Sequence, residues 1–191
     1  MLLEKLIHEF SIPNSFTQQE LALFDTFFEK IDLKKNEFLI REGEIERYSY
    51  FISEGLLRCW VLDQKGRAHT FWFCKKGTFS MSNISFTLVQ KANFNVQAVM
   101  NSELYRIDKE KTTVLYQRIP SLKPVFEDLT ALLLNRLLDR QVHMIKYSPE
   151  ESYIQMEKEF GSLFNQIPLK DVASYLGITP QALSRIRKRI F

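Results

Sequence analysis

The chain has 191 residues, 45% of them hydrophobic and 26% charged, with a net charge of only +3. That is enough material for one large or two small cores, and the balance excludes a disordered chain. No stretch approaches the ~18 consecutive apolar residues of a membrane span, so no membrane partner is expected. The opening MLLEKLIHEF carries Glu4 and lacks a basic-then-apolar layout, which predicts no secretory leader and a cytoplasmic protein.

Thr17-Gln-Gln-Glu20 is a capping box, in which the Thr hydroxyl and the Glu carboxylate satisfy orphaned amides at a helix start. Behind it, Leu21, Phe24, Phe27 and Phe28 keep helical spacing, predicting a helix up to about Lys30. Next, Gly43, Gly55, Gly66 and Gly77 recur at steps of twelve, eleven and eleven. The segments around them, EFLIRE, YSYFISE, LLRCWVLD and RAHTFWFCKK, are rich in aromatic and β-branched residues. NFNVQAV (93–99) and ELYRID (103–108) continue the pattern. Turn signals every 8–12 residues predict an antiparallel sandwich or barrel over 31–108. Cys59 and Cys74 lie on two of these apolar runs and form no metal-binding pattern, so they read as reduced thiols.

The longest predicted helix runs from about Ser121 to Lys146. At 100° per residue, Phe126, Leu133, Leu137 and Met144 fall on one stripe, and Leu134, Leu138 and Ile145 on another. Two apolar faces predict a helix that packs on its own β unit and on a second copy of itself. The plain alternative is a helix buried between two domains of one chain. Phe126, Leu129, Leu133, Leu137 and Met144 are taken as the dimerisation set. Ser148-Pro-Glu-Glu151 is a second capping box with Pro149 in the first turn, and that helix should stop at Gly161.

The last 23 residues, LKDVASYLGITPQALSRIRKRIF, carry the main functional signal. Val172, Ala173 and Leu176 give a first helix an apolar face, Gly177 allows a sharp turn, and Ile178 plugs the corner. Thr179 caps a second helix and Pro180 fits its first turn. Leu183, Ile186 and Ile190 share its inward face, while Gln181, Ser184, Arg185 and Lys188 share the outward one. This is helix-turn-helix spacing with chemistry that reads base edges and phosphates. Five cations against one carboxylate give residues 161–191 a net +4, leaving −1 for the remainder. A charge cluster alone would favour a solvated tail; its position on this motif points to a polyanion.

Glycine-punctuated strands with EFLIREGE and YFISEGLLRCW, a long helix, and ASYLGITPQALSRIRK at the end together resemble the Crp–Fnr family of transcription regulators. The likeness runs over roughly residues 15–190. It implies an α+β chain: a jelly-roll sensor within 1–120, a dimerisation helix at 121–147 and a helix-turn-helix domain at 148–191. It also implies a homodimer on double-stranded DNA, and it admits RNA polymerase as a partner, although no surface for that contact is visible. Thr179, Pro180, Gln181, Ser184, Arg185, Arg187, Lys188 and Arg189 form the expected DNA-binding set.

Two departures stand out. Family members that bind cyclic nucleotides use a carboxylate and an arginine in the segment matching GTFSMSNISFTLVQKANFNVQA (77–98). Here that segment holds no Asp, Glu or Arg; Ser82 stands for the carboxylate, and Ala92 and Asn93 for the Arg-Ser pair. A cyclic phosphodiester without a guanidinium binds poorly, so cyclic-nucleotide sensing is not expected. An unknown small effector remains allowed, with Phe79, Ser80, Ser82, Asn83, Asn93 and Phe94 as pocket candidates by position, and Arg136 and Arg140 reaching in from the long helix. For the arginines the plain alternative is a solvated pair. Secondly, only Phe191 follows the recognition helix, so no wing hairpin is expected there, and its phosphate contacts fall to Arg187, Lys188, Arg189 or the helix before.

Other chemistries find little support. Two cysteines are too few for an iron–sulfur cluster, and His8, His69 and His143 are scattered. A metal-dependent jelly-roll enzyme would need several histidines in the β unit, where only His69 lies. No cofactor, metal site or catalytic residue is therefore assigned. The remaining alternative is an effector-binding or protein-interaction module that does not read DNA sequence.

Overall fold

The computed structural model describes residues 1–10 and 16–190. Two short helices, α1 (Leu2–Phe10) and α2 (Gln18–Thr26), precede eight strands. The strands are β1 (Glu29–Leu33), β2 (Phe38–Ile40), β3 (Tyr48–Glu54), β4 (Leu56–Leu62), β5 (Ala68–Lys75), β6 (Phe79–Ser80), β7 (Asn95–Ala98) and β8 (Ser102–Asp108). Between β6 and β7 lies α3 (Asn83–Leu88). After the strands come α4 (Lys109–Arg118), α5 (Leu122–Lys146), α6 (Pro149–Phe160), a 3₁₀ segment (Gly161–Gln166), α7 (Leu169–Tyr175) and α8 (Pro180–Ile190). Among the described residues no helix is long and apolar enough to cross a membrane.

The strands form two antiparallel four-stranded sheets, β1-β8-β3-β6 and β2-β7-β4-β5. Alternate side chains of both sheets meet in a filled interior that includes Tyr50, Ile52, Leu57, Cys59, Cys74, Val96 and Leu104. The two thiols are buried neighbours, Sγ to Sγ 3.8 Å, and remain free. Gly55 makes the tight β3–β4 turn at φ +113°; a Cβ there would stand 2.7 Å from the Cα of Ser102. The apolar face of α1 (Leu2, Leu3, Leu6) packs with α2, Phe51 and the start of α5 in a second core.

The helix at Thr17 keeps its predicted capping box but ends at Thr26, short of Lys30. The Phe-Phe-Glu-Lys run beyond it leads into β1, where Glu29 pairs with Arg106 on β8. Sheet pairing has overridden helical spacing there, as tertiary context commonly does. The second capping box, at Ser148, and the stop at Gly161 are both present.

A third core joins the β unit to the C-terminal helices. Leu56, Phe73 and Val99 of the β unit pack with Tyr153, Met156, Phe160, Val172, Leu183 and Ile186 of the C-terminal helices. Phe73 sets its ring against Phe160 and Tyr175 at 5.6 and 5.2 Å between centroids.

Candidate nucleic-acid interface

The C-terminal motif is built locally as its sequence dictates. Val172 and Ala173 are fully buried on α7. Gly177 takes φ +70°, and the Ile178 amide donates back to the Ala173 carbonyl at 3.0 Å, closing the turn. The Thr179 hydroxyl accepts the Ala182 amide at 3.2 Å, capping α8, and Pro180 opens the helix where its missing N–H costs nothing. Leu183 and Ile186 face inward and are buried. Gln181, Ser184, Arg185 and Lys188 are exposed together on the outer face.

The terminal basic run divides by environment. Arg189 pairs with Glu150 at 2.8 Å. Arg187 is half-buried, and its Nε lies buried without a partner among the described residues. Arg185 and Lys188 have no carboxylate within 4.0 Å among the described residues, so both are available to an external anion. Phe191 lies outside the described residues.

Sequence reasoning missed the contacts that fix this motif in space. β5 is an edge strand whose outer backbone groups would otherwise face solvent. The Thr70 amide donates to Ser174 Oγ of α7 at 2.8 Å, and that hydroxyl lies 3.4 Å from the Ala68 carbonyl. Arg140 of α5 donates from Nε to the Phe71 carbonyl at 2.9 Å and from Nη2 to the Tyr175 carbonyl at 2.6 Å. Its guanidinium also lies over the Tyr175 ring, 3.6 Å from the centroid. Arg58 of β4 pairs with Asp171 at the start of α7, held from behind by Gln97 Oε1 at 2.8 and 3.2 Å. The only hint in the sequence was a lone arginine inside the apolar run LLRCWVLD.

The effector candidates are not gathered in one place. Ser80 and Ser82 are buried, and Ser82 Oγ has no hydrogen-bond partner among the described residues. Asn83 and Asn93 are exposed, Phe94 packs edge-on against Phe71, and Ala92 is buried in the sheet interior. Phe79, Arg136 and Arg140 instead line a cavity of about 680 Å³ between α5, the β5–β6 region and the α7–α8 turn. His69 is exposed on β5 and pairs with Asp63 at 3.0 Å.

On α5 the two stripes separate. Phe126 packs within its own chain against Phe24, Phe79 and Tyr116. Leu129, Leu133 and Met144 line the cavity, while Met144 and Leu137 are also 49% and 37% exposed. Of the stripe assigned from sequence to a second copy, Phe126, Leu129 and Leu133 thus lie toward this chain's own residues, whereas Leu137 and Met144 remain exposed. The open stripe is Leu134, Leu138, Val142 and Ile145, the last 89% exposed.

Residues 30–118 match the sequence family of the cyclic nucleotide-binding domain. No curated protein matches the chain in sequence. Among solved structures, FixK2 from Bradyrhizobium japonicum is similar at 16% identity, with 85% of this chain and 84% of that one covered and a TM-score of 0.72. The c-di-GMP responsive global regulator CLP from Xanthomonas campestris reaches the same TM-score of 0.72 at 12% identity, covering 91% of both chains. A crp/fnr-family protein from Eubacterium rectale gives 0.69 at 14% identity over 96% and 87%. The chain has the Crp–Fnr fold. The resemblance read from the sequence holds over both the β unit and the C-terminal helices, since these matches each cover most of the chain. In Crp–Fnr terms, α5 is the long central helix and α7–α8 the C-terminal pair.

Proposed function

We propose that the chain is a homodimeric, cytoplasmic DNA-binding transcription regulator without enzymatic activity. Its β unit and flanking helices (1–120) form the sensor, α5 (121–147) the dimer helix, and 148–191 the reader. The observation that carries this reading is the split of α8: Leu183 and Ile186 are buried, while Gln181, Ser184, Arg185 and Lys188 stand exposed on one face. Gln pairs with an adenine edge, and Arg with guanine O6 and N7 or with phosphate. The capped N-terminus of α8 at Thr179–Pro180 favours a phosphate, and Arg187 and Arg189 contribute to the positive field around it.

The dimer seam is Leu134, Leu138 and Ile145, with Ala131 and Gln141 completing alternating steps of three and four. This seam is favoured over the stripe through Leu133 and Met144 because Phe126 and Leu133 of that stripe are engaged within the chain; Leu137 and Met144, which are exposed, stay at the margin of the contact. Cyclic nucleotides are not the expected effector: residues 77–98 hold no Asp, Glu or Arg to meet the ribose hydroxyls and the cyclic phosphate.

Binding to mixed-sequence duplex DNA, followed by fluorescence anisotropy at several salt concentrations, tests the reader. The expected result is binding that weakens steeply with salt and is lost with Arg185→Ala plus Lys188→Ala. Salt-insensitive binding, or no binding by the intact protein with cell extract added, would leave a protein-interaction module.

A further inference from the structure

The cavity between α5, β5 and the reader carries a mismatch of charge. Arg136 and Arg140 stand one turn apart on the α5 wall, a spacing at which like charges repel. Arg140 spends Nε and Nη2 on backbone carbonyls, and its Nη1 has no partner among the described residues. Arg136 makes no hydrogen bond or ion pair among the described residues. Asp139 and Glu159 also line the cavity, yet neither comes within 4.0 Å of either guanidinium. Burial accordingly pushes the Arg140 pKa down, against a weaker opposing pull from Tyr175 and Glu159. Arg140 is the desolvated member of the pair, and Arg136 is exposed beside it. A desolvated cation without a carboxylate is costly, and an incoming anion relieves that cost.

Much of the remaining wall is apolar, with rings and methyl groups from Trp72, Phe79, Phe160, Leu133 and Met156, and a third cation, Lys75, also reaches it. A volume of about 680 Å³ suits a small organic molecule. The cavity face of α5 is on the side of the helix opposite Leu134, Leu138 and Ile145, so a second copy seated on that open stripe leaves the cavity unfilled. The interior between the sheets is occupied by its own side chains, so this space is distinct from it.

We propose that this junction cavity is a ligand site for an apolar-bodied carboxylate, held by Arg136 and the free Nη1 of Arg140, with its body against Trp72, Phe79 and Leu133. The ligand would touch the Gly177–Ile178 turn as well as α5 and β5. A ligand that contacts all three favours the reader position in which all three surfaces are present. That consequence rests on the regulator reading above; binding itself does not.

Calorimetric titration of the full chain without DNA tests the site. Phenylacetate and octanoate are the probes, with 2-phenylethanol, acetate and cyclic AMP as comparisons. One apolar carboxylate should bind with one site per chain, and the alcohol and acetate should bind about tenfold or more weakly. Arg136→Gln should cost a similar factor while leaving thermal unfolding unchanged, since that side chain supports no contact in the fold. The proposal fails if neither carboxylate binds, if the alcohol or Arg136→Gln binds as well as the reference, or if cyclic AMP binds more tightly. Because no DNA is present, such a failure leaves the DNA-binding reading intact, and the converse also holds.

Discussion

Arg58 and Asp171 are nearly removed from solvent, with side-chain exposures of 14% and 8%. Burial raises the Asp171 pKa, and the Arg58 charge pulls it back. Such a pair contributes little as a whole but is costly to halve, because one charge then stays buried alone. Asp171→Asn is expected to lower stability by about 3–5 kcal/mol in urea unfolding, and Asp171→Asn with Arg58→Met by clearly less. Glu151 offers a pH test. The Ser148 amide and hydroxyl hold its carboxyl below the usual range, so its contribution is present above an ordinary carboxylate pKa and lost as pH falls below it. Glu151→Gln should therefore flatten part of the acid limb of Tm against pH. Val89, by contrast, is a β-branched residue at φ +55° after α3, and it is 55% exposed. Val89→Gly should raise stability by about 1 kcal/mol, because strain is relieved and little packing is lost.

At the scale of elements, α5 shows what periodicity reveals and what it leaves open. Two apolar stripes are legible from spacing at 3.6 residues per turn, but spacing carries no information on which stripe meets which partner. That choice is made by Phe24 and Phe79, which are distant in sequence and claim Phe126 for this chain. Leu138→Glu should yield a folded monomer by sedimentation equilibrium; a dimer of unchanged affinity would place the seam elsewhere. The capping boxes at Thr17 and Ser148 and the turn at Gly177 were legible because all their chemistry is local. The early end of α2 was not, since β1 exists only by pairing with β8, about seventy residues away. The closure of the β5 edge by Ser174 and Arg140 was equally invisible, because it joins residues about a hundred and about seventy positions apart.

For the whole molecule, the shared core of Phe73, Phe160 and Val172 packs the C-terminal helices on the β unit, so the open stripe of α5 and the outer face of α8 are held in one frame. Two such chains related by a two-fold axis would present two α8 helices to successive major grooves, with half-sites about 34 Å apart. The measurement that tests this most directly is selection of binding sites from random duplex DNA by the purified protein. The expected result is an inverted repeat with half-sites about one helical turn apart, and a loss of about 1–3 kcal/mol at one position of each half-site with Arg185→Ala. Recovery of no motif, or of a single unrepeated half-site bound by a monomer, would contradict it.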